Sequence, residues 1–333
     1  MNKKKIFILP FFVFLIIISG CSDSEIKSSS RDIFAMDTYM NIKAYGKNSE
    51  KAINESADEI KRLENLFSVT DSESDIYKIN NSESAEVSSD TAEIISEALE
   101  ICKSTDGSLD ITIYPLVKLW GFTSGEYRIP DDKEIQNYLE NVGYENINIS
   151  GNCVSVPQNC ELDLGAVAKG YTSDRIAEIF RENGIESGII NLGGNVCIYG
   201  SERKVGIKNP FSDDIIGTVE VSDKAVITSG SYERYFTGND GKNYCHIINS
   251  ETGYPVDNGL LSVTVTGKSG LYCDALSTAL FVMGREKAVE YWKNSSQDFD
   301  MILIESNGKI YVTENISFEN KSDSEIIKIE QEN

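Results

Sequence analysis

The chain has 333 residues with 40% hydrophobic and 9% aromatic content, enough for one large domain or two ordinary ones around a substantial core. Its formal net charge is −22 and its pI is near 4.5, so its surface repels nucleic acid and anionic lipid headgroups and excludes both as direct partners. A polyanionic substrate would need a cation to bridge it.

At the amino terminus Lys3, Lys4 and Lys5 precede an apolar run, residues 6–18, too short for a comfortable membrane span. The run ends Ile18-Ser19-Gly20-Cys21 and resembles the bacterial lipobox, in which the cysteine takes a diacylglyceryl group and becomes the first mature residue. Residues 1–20 thus read as a lipoprotein signal peptide and residues 21–30 as a polar, flexible tether; an uncleaved anchor or an ordinary signal peptide is the alternative. This places the mature protein on the extracytoplasmic face of a bacterial cell membrane, lipid-anchored at Cys21.

A single folded domain is expected over residues 31–316. Residues 31–45 read as a strand with Met36-Asp37-Thr38 at its centre. Residues 50–67 carry Ala52, Ile53, Ala57, Ile60, Leu63 and Leu66 at helical spacing. After a polar loop and the segment 76–80, Asp90 is expected to cap a second helix that Asp106-Gly107 stops. Residues 109–113 alternate like a strand and 114–122 turn into a loop, while Pro130 opens a short helix to Val142. Residues 147–164 read as strands around Pro157, and 162–170 as a strand running into a helix that ends at Gly184. Residues 189–195 form a strand closing on Gly193-Gly194, followed by strands at 205–207, 215–221, 225–229 and 260–266. An apolar helix over 274–283, another beginning at 287, and a hairpin of 301–304 with 310–312 around Asn307-Gly308 complete the domain. The acidic, Ser/Asn-rich residues 317–333 read as a frayed tail. Strands and helices mix without a βαβ rhythm, so the fold class is α+β. Cys102, Cys197 and Cys273 read as buried thiols, and only Cys153 and Cys160, flanking Pro157-Gln158-Asn159, are placed for a bridge.

The most informative stretch is 244–284. It holds His246, the only histidine and so the only imidazole that could titrate near neutral pH; a lone histidine is, equally, a common structural residue. Asp274 and Thr278 lie one helical turn apart and can face one point. Two hard oxygens suit magnesium better than zinc, and a buried carboxylate such as Asp274 needs a cation, a basic residue or backbone donors. Residues 163–170 form a strand-to-helix junction with small residues, where free N–H groups attract phosphate and the Ala166 carbonyl could meet a metal. By itself that junction fits a tight helix–sheet contact equally well, and the same holds for Asn191-Leu-Gly-Gly-Asn195.

Six segments occur together in order: Met36-Asp-Thr38, Leu162-Asp-Leu-Gly-Ala-Val-Ala-Lys-Gly170, Ile190-Asn-Leu-Gly-Gly194, Thr228-Ser-Gly-Ser-Tyr232, His246-Ile-Ile-Asn-Ser-Glu-Thr-Gly-Tyr-Pro-Val256 and Asp274-Ala-Leu-Ser-Thr-Ala-Leu-Phe-Val282. Their order and spacing resemble the ApbE-type FAD:protein FMN transferases, usually extracytoplasmic lipoproteins, over roughly residues 33–312. The resemblance implies a single ApbE-like α+β domain that binds FAD and Mg²⁺ and moves FMN from FAD to a threonine hydroxyl of a target flavoprotein, releasing AMP. The target would be a redox-pump subunit or a secreted flavoprotein. Carried over residue by residue, the metal ligands are the Ala166 carbonyl, Asp274 and Thr278. Flavin or adenine contacts come from Met36, Leu109, Asp110, Ile111, Asp163, Lys169 and the 246–248 strand, including Ile248. His246 or a carboxylate such as Asp163 would take the threonine proton, and Lys169 would add positive charge at the pyrophosphate. Two departures stand out: Asp37 where many relatives carry glycine, and a Ser68-Val69-Thr70 loop without the tyrosine seen in many members. The rivals are a Mg²⁺-dependent FAD pyrophosphatase and a non-catalytic FAD-binding lipoprotein.

Overall fold

A computed structural model describes residues 27–295 and 298–331; the expected signal peptide, Cys21 with its expected lipid, and most of the expected tether lie outside the described residues. The backbone of the domain is a nine-stranded sheet in the order Ser28–Ala35, Thr38–Tyr45, Ser187–Leu192, Asn195–Tyr199, Lys224–Gly230, Leu260–Gly267, Phe299–Glu305, Ile310–Thr313 and Ile326–Ile329. Every neighbouring pair is antiparallel except the last.

Period-2 alternation decides which face each residue serves. Ala225, Ile227, Val263, Val265, Met301 and Leu303 join one core, whereas Val226, Ile302 and Ile304 join another on the opposite face. The first face is covered by helices: α1 (Ser49–Phe67), α2 (Asp75–Asn80), α3 (Ser89–Ser104), α6 (Ala168–Glu182) and α7 (Gly270–Asn294), with α4 (Tyr114–Leu119) and α5 (Asp132–Leu139) beside them. A small sheet of Arg203–Lys208, Ile215–Val221 and Phe318–Asn320 supplies Val205, Ile207, Ile216 and Val219 to the second face. Leu271, Leu276, Leu280 and Phe281 of α7 are fully buried in the first core, each contributing about 1.5–3 kcal/mol by removal from water.

Helix α7 is two helices joined at Gly284, whose φ of 77° breaks the regular turn, matching the two runs read from the sequence. Asn258 Nδ2 donates to the Phe281 carbonyl at 2.8 Å, serving a carbonyl that the break would otherwise leave unpaired.

Several elements differ from the sequence reading. Residues 31–45 are a tight hairpin, because Met36 and Asp37 both take positive φ, 49° and 56°. Its first strand starts at Ser28, taking the end of the expected tether. Ser88, not Asp90, caps α3, its hydroxyl accepting from Thr91 N–H at 3.2 Å; Asp90 is spent on Arg62, at 3.0 Å to both guanidinium nitrogens. Residues 109–113 form no strand. The Asp110 carboxylate folds back on the Thr112 N–H at 2.8 Å and hydroxyl at 2.6 Å, a local turn that competes with pairing. Residues 114–119 are helix α4, with Pro115 in the first turn where its missing N–H costs nothing. The strand pair Asn148–Ser150 and Cys153–Ser155 turns at Gly151, with φ 61°, and not at Pro157. The frayed tail is also corrected. Phe318–Asn320 and Ile326–Ile329 both pair into sheets, and Ile329 is buried, an alternation masked by the acidic residues between. Cys153 is exposed, Cys160 buried, and the two are unbridged; Cys102, Cys197 and Cys273 are buried free thiols. Among the described residues no helix is long and apolar enough to cross a membrane.

Candidate functional site

Strand direction brings distant motifs to one edge of the main sheet. The Met36-Asp37 turn, the Gly193-Gly194 turn and the end of Lys224–Gly230 all lie there by register. Gly193 and Gly194 have φ of 70° and 99°. A side chain on Gly193 would run into Thr38, 2.6 Å from its Cγ2, so the two turns can nest only with glycine there. Asp37 occupies a left-handed position that glycine fills without strain and that aspartate, with its short polar side chain, tolerates better than most.

The helical layer meets this edge through the first turns of α6 and α7. Asp274 is buried, and its Oδ2 accepts the Gly170 N–H at 2.8 Å. Gly170 is the third residue of α6, and its N–H is one of the first-turn donors that the helix itself leaves without a partner; the first ladder bond runs from Tyr171 N–H to the Val167 carbonyl at 2.9 Å. Asp274 satisfies that donor, and the half-buried Ala166 carbonyl lies before the N-cap, where the helix ladder does not claim it. One turn beyond Asp274, the Thr278 hydroxyl lies 3.2 Å from Ser229 Oγ, which is itself 2.7 Å from Ser277 Oγ. Burial pushes the Asp274 carboxyl above its ordinary value, and Lys169, Asn195 and the Gly170 N–H oppose that rise. Asn195 is buried, and its Nδ2 approaches Asp274 without completing a hydrogen bond. Asp274 is therefore a buried carboxyl group with no hydrogen-bonded basic partner among the described residues, an arrangement that a bound cation would relieve. Oxygens from a carboxylate, a hydroxyl and a backbone carbonyl are the donor set of a hard ion such as Mg²⁺. Among the described residues no cluster of three or more His, Cys, Asp or Glu offers a softer site.

A second group surrounds Asp163. Its backbone N–H donates to the Ile111 carbonyl at 2.8 Å, and its Oδ1 accepts the Gly165 N–H at 2.7 Å. Burial raises its pKa, opposed by that N–H and by the charges of Lys169 and Arg234. His246 is half-buried, with its edge toward Phe122 at a ring separation of 6.5 Å. Its Nδ1 lies 3.1 Å from the Arg234 carbonyl, which also accepts the His246 backbone N–H at 3.0 Å. A carbonyl only accepts, so Nδ1 carries the proton in the neutral ring and Nε2 holds the free lone pair. Burial lowers the imidazole pKa to about 4, opposed by the bond to Arg234 and reinforced by the positive charges of Arg234 and Lys169. One lysine and one arginine thus act on Asp163 and His246 together, and Lys169 reaches Asp274 as well.

The structure brings together Asp163, Ala166, Lys169, His246, Asp274 and Thr278. Met36 is on the hairpin turn, where its N–H donates to Glu64 Oε1 at 2.6 Å. Leu109, Ile111 and Ile248 bury their side chains in the core, leaving only backbone groups for a ligand. Asp110 sits on the wall of a cleft of about 1490 Å³ between α3 and the far half of α7. That cleft is lined by none of Asp163, Lys169, His246 or Asp274, so cavity size does not mark the chemistry. Sequence reasoning missed Arg234 and Asn195. The signal for Arg234 was a basic residue two positions after the Thr228–Tyr232 motif in a strongly acidic chain; Asn195 ends a motif that was read as a backbone turn.

Comparison with known proteins agrees with this geometry. The profile of the ApbE family matches residues 36–303. An FAD:protein FMN transferase of Klebsiella pneumoniae (strain 342) is 36% identical over 262 residues, 76% of this chain and 82% of that protein. One from Vibrio cholerae serotype O1 is 36% identical over 232 residues, 65% and 69% of the two chains. Among solved structures, the ApbE protein of Thermotoga maritima superposes with a TM-score of 0.80 at 33% identity, covering 85% of this chain and 96% of the other. The flavin transferase ApbE from Vibrio cholerae superposes with a TM-score of 0.76 at 30% identity, covering 86% and 97%. The fold is the single α+β domain of these proteins, as the sequence motifs imply.

Proposed function

The chain belongs to the ApbE family, and on that premise we propose that it transfers FMN from FAD to a threonine hydroxyl of an extracytoplasmic or membrane flavoprotein, releasing AMP and requiring Mg²⁺. The observation that supports the metal requirement is the buried Asp274 carboxylate, held by the Gly170 N–H in the first turn of α6, with the Thr278 hydroxyl one turn beyond it and the Ala166 carbonyl just before the same helix. The Ala166 carbonyl, Asp274 and Thr278 would hold Mg²⁺, which supplies charge neutralisation at the pyrophosphate oxygens. In the reaction the threonine Oγ forms a bond to the FMN phosphorus, the bond from that phosphorus to the bridging oxygen breaks, and AMP leaves with the bridging oxygen. Lys169 and Arg234 supply fixed positive charge beside Asp163 and His246. His246 Nε2 takes the threonine proton, its tautomer set by the Arg234 carbonyl. Burial is the main cause of the low imidazole pKa, and an anionic dinucleotide drawn to Lys169 and Arg234 would offset only the smaller part that their positive charges add. Lipid at Cys21 would hold the enzyme at the extracytoplasmic membrane face, close to membrane redox proteins.

The test mixes the protein with FAD and MgCl₂, with and without a threonine-bearing acceptor protein, and follows AMP and acceptor-bound flavin. Equal amounts of both, dependent on acceptor, support transfer. AMP with free FMN and no need for acceptor identifies a pyrophosphatase instead, and FAD retention without AMP identifies a binding protein.

A further inference from the structure

Helix α7 carries Asp274 and Thr278, and a residue of α6 grips its first turn. Asp174 Oδ1 accepts the Gly270 N–H at 2.7 Å; Oδ2 accepts the Leu271 N–H at 3.0 Å and the Ser269 hydroxyl at 3.2 Å. A helix start normally takes its cap from the residue just before it, and Ser269 already fills that role, accepting from Tyr272 N–H at 3.2 Å. Asp174 is thus a second cap, reaching across from another helix.

The spacing on both helices explains what this second cap does. Asp174 lies one turn after Gly170, and Asp274 lies one turn after Gly270. The two helices are therefore joined at two rungs, Gly170 to Asp274 and Asp174 to Gly270. Between the rungs the backbones touch: a Cβ on Gly170 would lie 2.6 Å from the Gly270 carbonyl carbon and 2.7 Å from Asp274 Cβ, and one on Gly270 would lie 2.6 Å from the Gly170 oxygen. Ser173 Oγ closes the gap from the same side by donating to the Gly170 carbonyl at 2.8 Å. If the Asp174 rung opens, α7 is free to slide or rotate against α6, which shifts Asp274 away from Gly170 and from the Ala166 carbonyl.

We propose that Asp174 is a positioning residue for the metal site, locking α7 against α6 so that Asp274 and Thr278 converge with the Ala166 carbonyl. The proposal rests on the metal reading given above, and the test separates the two. Mn²⁺ alone is titrated by paramagnetic resonance into the purified full-length protein without FAD, for wild type, Asp174→Asn, Asp274→Ala and Val312→Ala. Val312 lies in the core on the opposite face of the sheet, so Val312→Ala is a stability control. Asp174→Asn is expected to weaken Mn²⁺ binding by about tenfold or more, the range seen when the partner of a metal ligand is removed, and to broaden the bound-ion spectrum. Val312→Ala is expected to lower the melting temperature and leave Mn²⁺ affinity at the wild-type value. Equal Mn²⁺ affinities in Asp174→Asn and Val312→Ala overturn the positioning role, provided Asp274→Ala has lost binding. Wild-type affinity in Asp274→Ala overturns the metal reading itself, and the positioning role with it. If Asp174→Asn does not fold, Ser269→Gly carries the test in milder form: it removes one bond to Oδ2, and glycine is itself an acceptable residue at the start of a helix. A smaller loss of Mn²⁺ affinity then supports the proposal, and unchanged affinity overturns it.

Discussion

Replacing His246 by asparagine separates a catalytic histidine from a structural one. The structural cost is small and can be summed. The asparagine amide can still donate toward the Arg234 carbonyl that now receives Nδ1 at 3.1 Å, so the main loss is the edge contact with Phe122. Aromatic pairs of this kind contribute about 0.5–1.5 kcal/mol. In a large domain that lowers the melting temperature by about 1–6 °C. The catalytic cost is much larger if Nε2 accepts the threonine proton. Loss of a positioned general base slows the chemical step by about two to four orders of magnitude, equivalent to about 3–5 kcal/mol of barrier. FAD affinity should change little, because Lys169, Arg234 and the oxygens around Asp274 are untouched. The assay is single-turnover transfer to an acceptor protein, run beside a fluorescence titration of FAD and a thermal melt on the same preparation. Near-normal turnover with a melting point a few degrees lower would refute the catalytic role and leave His246 as a residue that anchors the end of its hairpin.

Asp274→Ala removes the only charged oxygen of the proposed ligand set; transfer should be lost at all practical magnesium concentrations while the circular dichroism spectrum is retained, and full activity at limiting magnesium would exclude Asp274 as a ligand. The His246 pKa, near 4 when folded against 6.5 for an ordinary histidine, means that the unfolded chain takes up the proton first. Its share of stability is therefore complete above pH 6.5 and lost as pH falls from about 6.5 to about 4. Subtracting the melting curve of His246→Asn from that of wild type across this window isolates the effect from the buried carboxylates, and a flat difference would contradict it. Cys21→Ser should release the protein into the medium or trap its precursor; unchanged membrane retention with normal processing would rule out the lipid anchor.

How much of the fold was legible depended on whether local pattern and burial agreed. Helix α1 was legible because its apolar spacing matches the face it buries, and the first helix of 270–294 because it is an almost continuous apolar run buried nearly all round. The central strands Leu260–Gly267 and Phe299–Glu305 were equally plain, as β-branched and aliphatic runs covered on both faces. Residues 109–113 misled for a physical reason: Leu109 and Ile111 do point into the core, but from a turn that Asp110 holds with its own side chain. The tail misled in the opposite way. Its strands are short, and their alternation, with Ile329 buried and Ile327 half-buried, is diluted by acidic residues that stay in solvent.

The site was legible only as motifs, because its decisive features are bonds between segments far apart in the chain. That Asp274 needed a partner followed from its place on an apolar helix. That its partner is the Gly170 N–H, a hundred residues earlier and inside another of the six motifs, did not follow from any spacing. The same holds for His246, whose tautomer is set by the carbonyl of Arg234 on the facing strand entry. Neither residue type is unusual in itself. What makes each reactive is a backbone group held in place by the packing of turns and helix starts along one edge of the sheet. Glycines at 170, 193 and 270 sit where those backbones touch or the turns nest, which is why small residues recur through the motifs. On this view the motifs spell out the joints of the site as much as its reactive groups. A substitution at such a joint, Gly170 above all, should therefore damage the site without altering a single functional side chain.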